Sequence, residues 1–443
     1  MWTPALGGFW RKKMENLNKD NLLEVLCKII GTVIQSNDET IQLKSEYSEK
    51  TIILNINKLF EEYEKCNNLI EVEELSFVSK NYYEVAIKDV SYNLLYRDTN
   101  ELFSTEDIEN KINYNIDTPS YKFILVQLNN LMQYENYEKI LLQQFPSRMF
   151  LKRRLERFEE KEIDAYTYLT STYFRNQTIQ IHSEKERGFS EFNELLSSYI
   201  FQISYNYNSV LVPQKSIQDL FKRRGLLLRH RNKISDAENE FDPPRRKYIG
   251  ELVSYYQMAM ASDSPYLEFI SYYHVIEYFF DTVFNDELVK KIREKITLPT
   301  FSYKRKKDIL DLVKMISKLS NVRNEGLIYN ELNALTLTLK KYLNIEDLCN
   351  EINNQDINYI DYLKNEKVVF SNGDVVNLNN PDKDCICKEL ANRIYSTRNA
   401  LVHSKELENS KYKPFHDDKT LSKEMLLLRL IAEQLIINTS QIL

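Results

Sequence analysis

The chain has 443 residues and a net charge of −6, with 8 Gly, 10 Pro, five His and five Cys. So little Gly and Pro excludes a loop-rich or all-β architecture, and the length suits two to three domains with sizeable cores. The negative balance confines any nucleic-acid contact to local basic patches.

In chain order, Met1 to Trp10 holds both Trp residues and two of the eight Gly, and reads as a flexible or partner-binding arm. Residues 16–36 suggest a helix. Thr51 to Ile56 reads equally as a strand or a helix start. Tyr82 to Tyr96 is rich in Val, Tyr and Ile and is a candidate strand, whereas Lys122 to Leu128 stays ambiguous. Arg148 to Glu162 reads as a charged, solvated helix. No Gly-rich phosphate loop follows a strand, which argues against an ATPase or a dinucleotide-binding dehydrogenase. The first half thus reads as helix-rich, with an α+β arrangement left open and no catalytic motif.

A boundary is expected at 233–245, where an acidic run ends in Pro243-Pro244, dividing region 1–240 from region 245–443. Arg245-Arg246-Lys247 opens a helical run to Ser262, and Pro265 starts the next helix after Ser262 or Ser264 as cap. That helix, to Phe284, is apolar nearly all round and reads as a core element. It contains His274, read as a core histidine, and Glu277. A carboxylate among Val275, Ile276, Tyr278 and Phe279 is costly to bury unless paired, and Arg398 is its natural partner. Lys304-Arg305-Lys306-Lys307 opens a helix to Leu319 and is a candidate track for backbone phosphates. Arg323-Asn324-Glu325-Gly326 reads as a helix end with a Gly stop. Helical pieces follow at Glu331–Leu343 and Ile345–Asn353, then an Asn372-Gly373 hairpin between two β-branched runs. Ser422 to Ile442 reads as a closing amphipathic helix.

The segment before that last helix carries the chemistry. From Asp384 to His403 the residues Ile386, Leu390, Ile394, Thr397 and Leu401 share one stripe roughly 80° wide. Asp382 or Asp384 is a plausible N-cap. Asn392, Ser396, Asn399 and His403 take the opposite side, with Arg398 on the flank. Arg holds phosphate bidentately, His moves protons near neutral pH, and Asn orients either. Those groups suffice to cleave RNA without a metal. Arg224 and His230 repeat the Arg-to-His spacing, but in a Gly-interrupted stretch without a polar residue after the Arg, and are discounted.

Arg398-Asn399-x-x-x-His403 resembles the R-x4-6-H motif of HEPN-domain ribonucleases, and Tyr273 to Phe280 resembles the first long helix of such domains. The resemblance covers residues 245–443. It implies an all-α up-and-down bundle, a dimer lining one cleft with two motifs, and metal-independent RNA cleavage. Carried over by position, Arg398 and His403 are catalytic, Asn399 supports them, and Glu277 is a weaker candidate. It also implies a toxin or antiphage effector, an activator or phage protein being sensed through region 1–240.

The expectations are therefore a mainly α chain, with a HEPN-like bundle after a helix-rich N-terminal region, acting as a cytoplasmic endoribonuclease. RNA is the expected substrate and a homodimer the expected assembly. No cofactor or metal is expected: Cys27, Cys66, Cys349, Cys385 and Cys387 lack zinc-site spacing. No secretory segment and no apolar run of about 18 residues is present. The competing readings are a non-catalytic helical dimerisation or sensor protein, and a nucleotide-binding or tRNA-processing accessory protein.

Overall fold

A computed structural model describes residues 3–4, 10–13, 23–24, 26, 32–37, 39–44, 51–64, 70–73, 75–90, 104–131, 134–142, 153, 156–158, 161–217, 241–323, 326–402 and 412–443. The chain divides into two compact units, Met1–Arg245 with Leu443, and Arg246–Ile442.

The first unit runs β1 (Thr3–Pro4), β2 (Trp10–Lys13), β3 (Thr32–Ser36), β4 (Thr40–Lys44), β5 (Thr51–Asn55), α1 (Asn57–Glu64), β6 (Ile70–Glu73), β7 (Ser76–Val78) and β8 (Tyr82–Asp89). It continues through β9 (Thr105–Asp107), β10 (Ile112–Asp117), α2 (Tyr121–Leu131), α3 (Tyr137–Leu142), β11 (Glu162–Asp164), α4 (Ala165–Thr172), β12 (Gln177–Ser183), α5 (Phe189–Tyr207) and β13 (Leu211–Pro213). One sheet has the order β1-β2-β6-β7-β8-β12-β10-β9, with β13 also on β8, and a second has the order β11-β5-β4-β3. Every pairing is antiparallel except β11 with β5.

Successive residues of a strand face opposite sides, and β8 uses both. Tyr83 stacks on Phe192 of α5 at 5.9 Å between ring centroids, and Tyr114 of β10 stacks on Tyr199 of α5 at 5.0 Å. On the other face, Ala86 joins a core shared by α2, Phe77, and Ile41, Leu43, Ile52 and Leu54 of the second sheet. Helix α2 is buried continuously from Phe123 to Leu131. Within this layer lies Glu84, fully buried and without a cation among the described residues. It accepts from the Ser120 amide (2.9 Å), the Ser120 hydroxyl (2.6 Å), the Tyr82 hydroxyl (2.7 Å) and the Thr178 hydroxyl (2.8 Å). Burial pushes its carboxyl above the usual range. Ser120 in turn caps α2 through the Phe123 amide, so Glu84 fastens the start of α2 to the sheet.

This unit corrects the expected mainly α fold class and its helix-rich N-terminal region: two sheets organise it. The physical reason is burial on both faces. Strands such as β8 present a continuous Val-Ala-Ile run instead of alternation, and a short apolar run does not separate strand from helix. In β10 the alternation is plain, Ile112, Tyr114 and Ile116 being buried between exposed neighbours. The helix expected over 16–36 gives way to β3 at Thr32. The charged helix expected over 148–162 lies mostly outside the described residues, which show a short 3-10 turn at Glu156–Phe158 and β11 from Glu162.

The second unit is helical. It comprises β14 (Arg246–Lys247), α6 (Gly250–Ala261), α7 (Pro265–Glu277), α8 (Phe280–Ile296), α9 (Lys306–Leu319), β15 (Ser320–Arg323), β16 (Gly326–Tyr329), α10 (Glu331–Tyr342) and α11 (Ile345–Gln355). Then follow α12 (Tyr359–Asn365), α13 (Lys383–Val402), α14 (Asp418–Ser422), α15 (Met425–Asn438) and β17 (Gln441–Ile442). Ser264 precedes α7 with Pro265 in its first turn. Asp382 caps α13 by accepting from the amides of Asp384 (2.9 Å) and Cys385 (3.2 Å), satisfying donors that a helix start leaves open.

The helical run expected to open at Arg245-Arg246-Lys247 begins instead as β14, with α6 starting at Gly250, and the helix expected from Pro265 to Phe284 ends at Glu277, α8 starting at Phe280. Three further details differ from expectation. Arg323 and Gly326 pair as the innermost register of a β15–β16 hairpin, not as a helix end. The hairpin expected around Asn372-Gly373 reduces to one bridge, Val368 with Gly373. Asn372 there adopts φ 54°, and a Cβ on Gly373 would stand 3.2 Å from the Ser371 hydroxyl oxygen and 3.3 Å from the Arg393 carbonyl oxygen, a tight approach that favours Gly. Helix α15 is not amphipathic: Leu427, Leu428, Leu430, Ile431, Leu435 and Ile436 bury it nearly all round, because it is a central helix of the unit.

Candidate functional site

Helix α13 packs through Ile386, Leu390 and Ile394, which are buried, while Leu401 is half-buried. Two arginines on this helix meet different environments.

Arg393 is 0 % exposed. Its Nε and Nη2 donate to the two carboxylate oxygens of Glu424 at 2.7 and 2.8 Å, and Nη1 donates to the carbonyls of Glu366 (2.8 Å) and Asp374 (2.9 Å). The Tyr362 hydroxyl donates to Glu424 at 2.6 Å, and the Tyr362 ring lies 5.3 Å from the guanidinium carbon. A bidentate pair with two further carbonyl acceptors is the satisfied geometry that a buried ion pair requires. Arg393 is structural, and sequence reading passed over it. The signal was its phase: it stands seven residues after Ile386 and four before Thr397, inside the apolar stripe, where a charge needs a partner.

Arg398 lies one and a half turns later with its side chain 18 % exposed, and its Nη2 stands 3.1 Å from Glu331 Oε1. Its Nη1 donates to the Asn399 side-chain oxygen at 3.3 Å. The guanidinium carbon lies over the Tyr273 ring, 5.5 Å from the centroid, and the Tyr273 hydroxyl donates to the same Glu331 oxygen at 3.0 Å. Burial, then the Glu331 carboxylate, pushes that hydroxyl far above the usual tyrosine range, so it remains a neutral donor. Glu331 is the first residue of α10, behind an Asn330 cap, where the helix dipole favours a carboxylate. A guanidinium has five N–H donors. Those not engaged by Glu331 and Asn399 have no acceptor among the described residues, at a position that leaves 18 % of the side chain exposed.

The expected residues are therefore brought together only in part. Arg398 and Asn399 touch. Glu277 does not supply the partner of Arg398: its Oε2 lies 2.9 Å from His274 Nδ1, and Glu331 holds the arginine instead. His274 is half-exposed, not a core residue, with its ring 5.1 Å from that of Tyr255. Sequence gave no means of choosing Glu331, because the partner is set by where α10 crosses α13. His403, and the discounted Arg224 and His230, lie outside the described residues. Lys304, Arg305, Lys306 and Lys307 are all exposed, the first two just before α9 and the last two in its first turn. Arg305 pairs with Asp308 at 2.9 Å and donates to the Thr300 carbonyl. The others form no ion pair among the described residues.

Cys385 is half-buried and Cys387 buried, and burial raises the Cys387 thiol above its ordinary range. Among the described residues no group of three or more His, Cys, Asp or Glu is placed to hold a metal ion, and no helix is long and apolar enough to cross a membrane. Compared with known proteins, the chain matches no family model, no curated protein and no solved structure. The functional reading therefore stands on these residues and their geometry.

Proposed function

We propose that the chain is a HEPN-type, metal-independent endoribonuclease of the cytoplasm, acting as a toxin or antiphage effector, with the N-terminal unit as its sensing region. The observation that supports it most is Arg398: mostly buried but still reaching the surface, aimed by Glu331, Tyr273 and Asn399, with donors to spare among the described residues, and five residues before His403. In this reading the RNA 2′-hydroxyl attacks the adjacent phosphorus while His403 removes its proton, a role worth about 10²–10⁴-fold. The new 2′-O–P bond replaces the P–O5′ bond, leaving a 2′,3′-cyclic phosphate and a 5′-hydroxyl. Arg398 neutralises charge growing on the phosphate oxygens, and Lys304, Lys306 and Lys307 track the strand. A homodimer presenting two His403 side chains completes the reading.

The test is incubation of purified protein with total RNA in EDTA, followed by end-group analysis. Cleavage leaving cyclic or 3′-phosphate ends, abolished in His403→Ala and kept in His230→Ala, is expected. Full activity in His403→Ala, or strict dependence on magnesium, refutes the proposal.

A second reading is favoured by the same contacts seen differently. Arg398, Glu331 and Tyr273 tie three helices together, as a non-catalytic dimerisation or sensor protein would need. RNA left intact under every condition, including with a plausible trigger, selects that reading.

A further inference from the structure

The second half of α8 and the described side chains of α9 add no buried residue to the core. Val283, Phe284 and Leu288 of α8 are buried, but from Val289 to Ser317 no residue is. Apolar side chains nonetheless recur through this stretch. Val289 and Ile296 of α8, Tyr303 of the connection, and Ile309, Leu310 and Val313 of α9 are all exposed, Tyr303 by 76 % and Val313 by 51 %. The stretch also holds nine Lys and Arg against three Asp and Glu, in a chain whose net charge is −6. Of these cations only Lys291, with Glu287 at 3.3 Å, and Arg305, with Asp308 at 2.9 Å, form ion pairs among the described residues.

Helix α9 packs against α8, and its half-buried Leu312, Met315 and Ile316 lie on one side. At 100° per residue, Lys306, Ile309, Leu310, Val313 and Ser317 fall on another face, at spacings of three, four, seven and eleven from the first. Every one of them is exposed, and exposed Lys307 and Lys314 border that face. Aliphatic side chains flanked by lysines on one exposed helical face are the pattern of a helix that lies in the interface of an anionic bilayer. Lysine stems run along apolar surface and place the ammonium at the headgroups, and Tyr303 has the amphipathic ring that such interfaces favour. Two other occupants fit less well. RNA would engage the lysines but leave the aliphatic residues without a partner, since unpaired bases stack on aromatic rings and Tyr303 is the exposed ring of this stretch. A second copy meeting this face through its own would bring like charges together. No described helix is long and apolar enough to cross a membrane, so the contact is with a bilayer surface.

We propose that the exposed face of α9, with the cationic stretch around it, is a docking surface for the anionic face of a lipid bilayer. Leu310 and Val313 enter the boundary between headgroups and acyl chains, and the lysines lie on lipid phosphates. This goes beyond the ribonuclease reading and does not depend on it. Lys304, Lys306 and Lys307, which that reading gives to RNA, serve the bilayer here, so the two ligands compete for them.

The experiment mixes the full-length protein with vesicles of phosphatidylcholine, or of phosphatidylcholine with a quarter replaced by phosphatidylglycerol, and measures binding by flotation. The parent should float with the anionic vesicles alone. Binding should weaken as salt rises from about 0.1 M to about 1 M, where the screening length falls from about 10 Å to about 3 Å. Lys306→Gln with Lys307→Gln should weaken it about 30-fold, about fivefold for each cation lost. Leu310→Asn with Val313→Asn keeps the charge and should weaken it about tenfold or more. All four positions are exposed, so the melting temperature should hold. Should the aliphatic variant melt lower, Tyr303→Ala takes its place, with weaker flotation again expected. The comparison ligand is a single-stranded RNA with every 2′-hydroxyl methylated, which cannot be cut. A parent that ignores anionic vesicles overturns the proposal, and one that binds this RNA through the lysines alone gives the face to RNA. Flotation that both variants keep, or that only the lysine variant loses, also overturns it. A lipid-free dimer in light scattering that the aliphatic variant breaks assigns the face to a second copy and overturns it too. Cleavage of ordinary RNA in EDTA is read separately, so the docking surface and the ribonuclease reading fail independently.

Discussion

Arg393 and Arg398 stand on one helix, five residues apart, and the protein uses them in opposite ways. Around Arg393 a carboxylate, two carbonyls and a ring consume the charge completely, and no water reaches it. Around Arg398 one carboxylate, one amide and one ring fix the direction of the guanidinium without consuming it. Arginine with four of its five donors engaged in a sealed site is architecture, whereas arginine with its aim set and more donors left over is equipped to meet an anion.

The largest effect that sharpens this contrast is on stability. Arg393→Met leaves Glu424 buried without its cation and should cost about 3–5 kcal/mol. In a domain of this size that is a fall of roughly 6–20 °C in the melting temperature of the C-terminal unit by calorimetry. A variant melting like the parent breaks the contrast at its structural end.

Arg398→Ala should do the reverse. Loss of a charge-stabilising donor costs about 10²–10³-fold in cleavage rate, while the Arg398–Glu331 pair, with side chains 18 % and 23 % exposed, should cost less in stability than the fully buried one at Arg393. A large melting shift with unchanged cleavage would place Arg398 with Arg393 and break the contrast at its functional end.

How much of this the sequence carried depends on the length scale of the cause. The span and apolar face of α13, its Asp382 cap, and the Pro265 start of α7 are local matters of period and capping, and they were readable. Glu331 as the partner of Arg398 was not, since nothing in the neighbourhood of either residue announces a crossing of two helices; Glu277, the nearest carboxylate in an apolar run, drew the assignment instead. Arg393 was readable from its place in the stripe and was passed over because the search followed the polar face. The sheets of the N-terminal unit were hidden because strands covered on both faces lose the alternation that marks them, although β10 kept it.

A smaller effect tests what aims Arg398. Glu331→Gln keeps an acceptor for Tyr273 but removes the charge. It should cost at most about 1 kcal/mol in denaturant titrations, and should tighten binding of a methylated RNA by removing a competing anion. Weaker RNA binding in this variant would mean that aim matters more than competition.

The smallest effect comes from the counterpart of Glu424. Glu84 is also buried, but neutral donors serve it and no cation among the described residues does, so burial holds its carboxyl above the ordinary range. The folded state then binds more protons than the unfolded one as pH rises above the ordinary carboxylate value, and stability should fall across that window. Thermal melts of the parent should show the N-terminal unit losing stability as pH rises towards neutrality. Glu84→Gln should flatten that dependence, and an unchanged slope would assign it to other groups.

The four hydrogen bonds of Arg393 also act as a datum for everything after it on the helix. A helix advances 100° and 1.5 Å per residue. One residue inserted between Arg393 and Arg398 would leave the buried anchor seated yet swing the outer guanidinium off Tyr273 and away from Glu331. Residues 394–397 should accept many substitutions on their exposed side but no change in length, so a library of single insertions and deletions across α13 should show a narrow intolerant window there even at positions where individual side chains are dispensable.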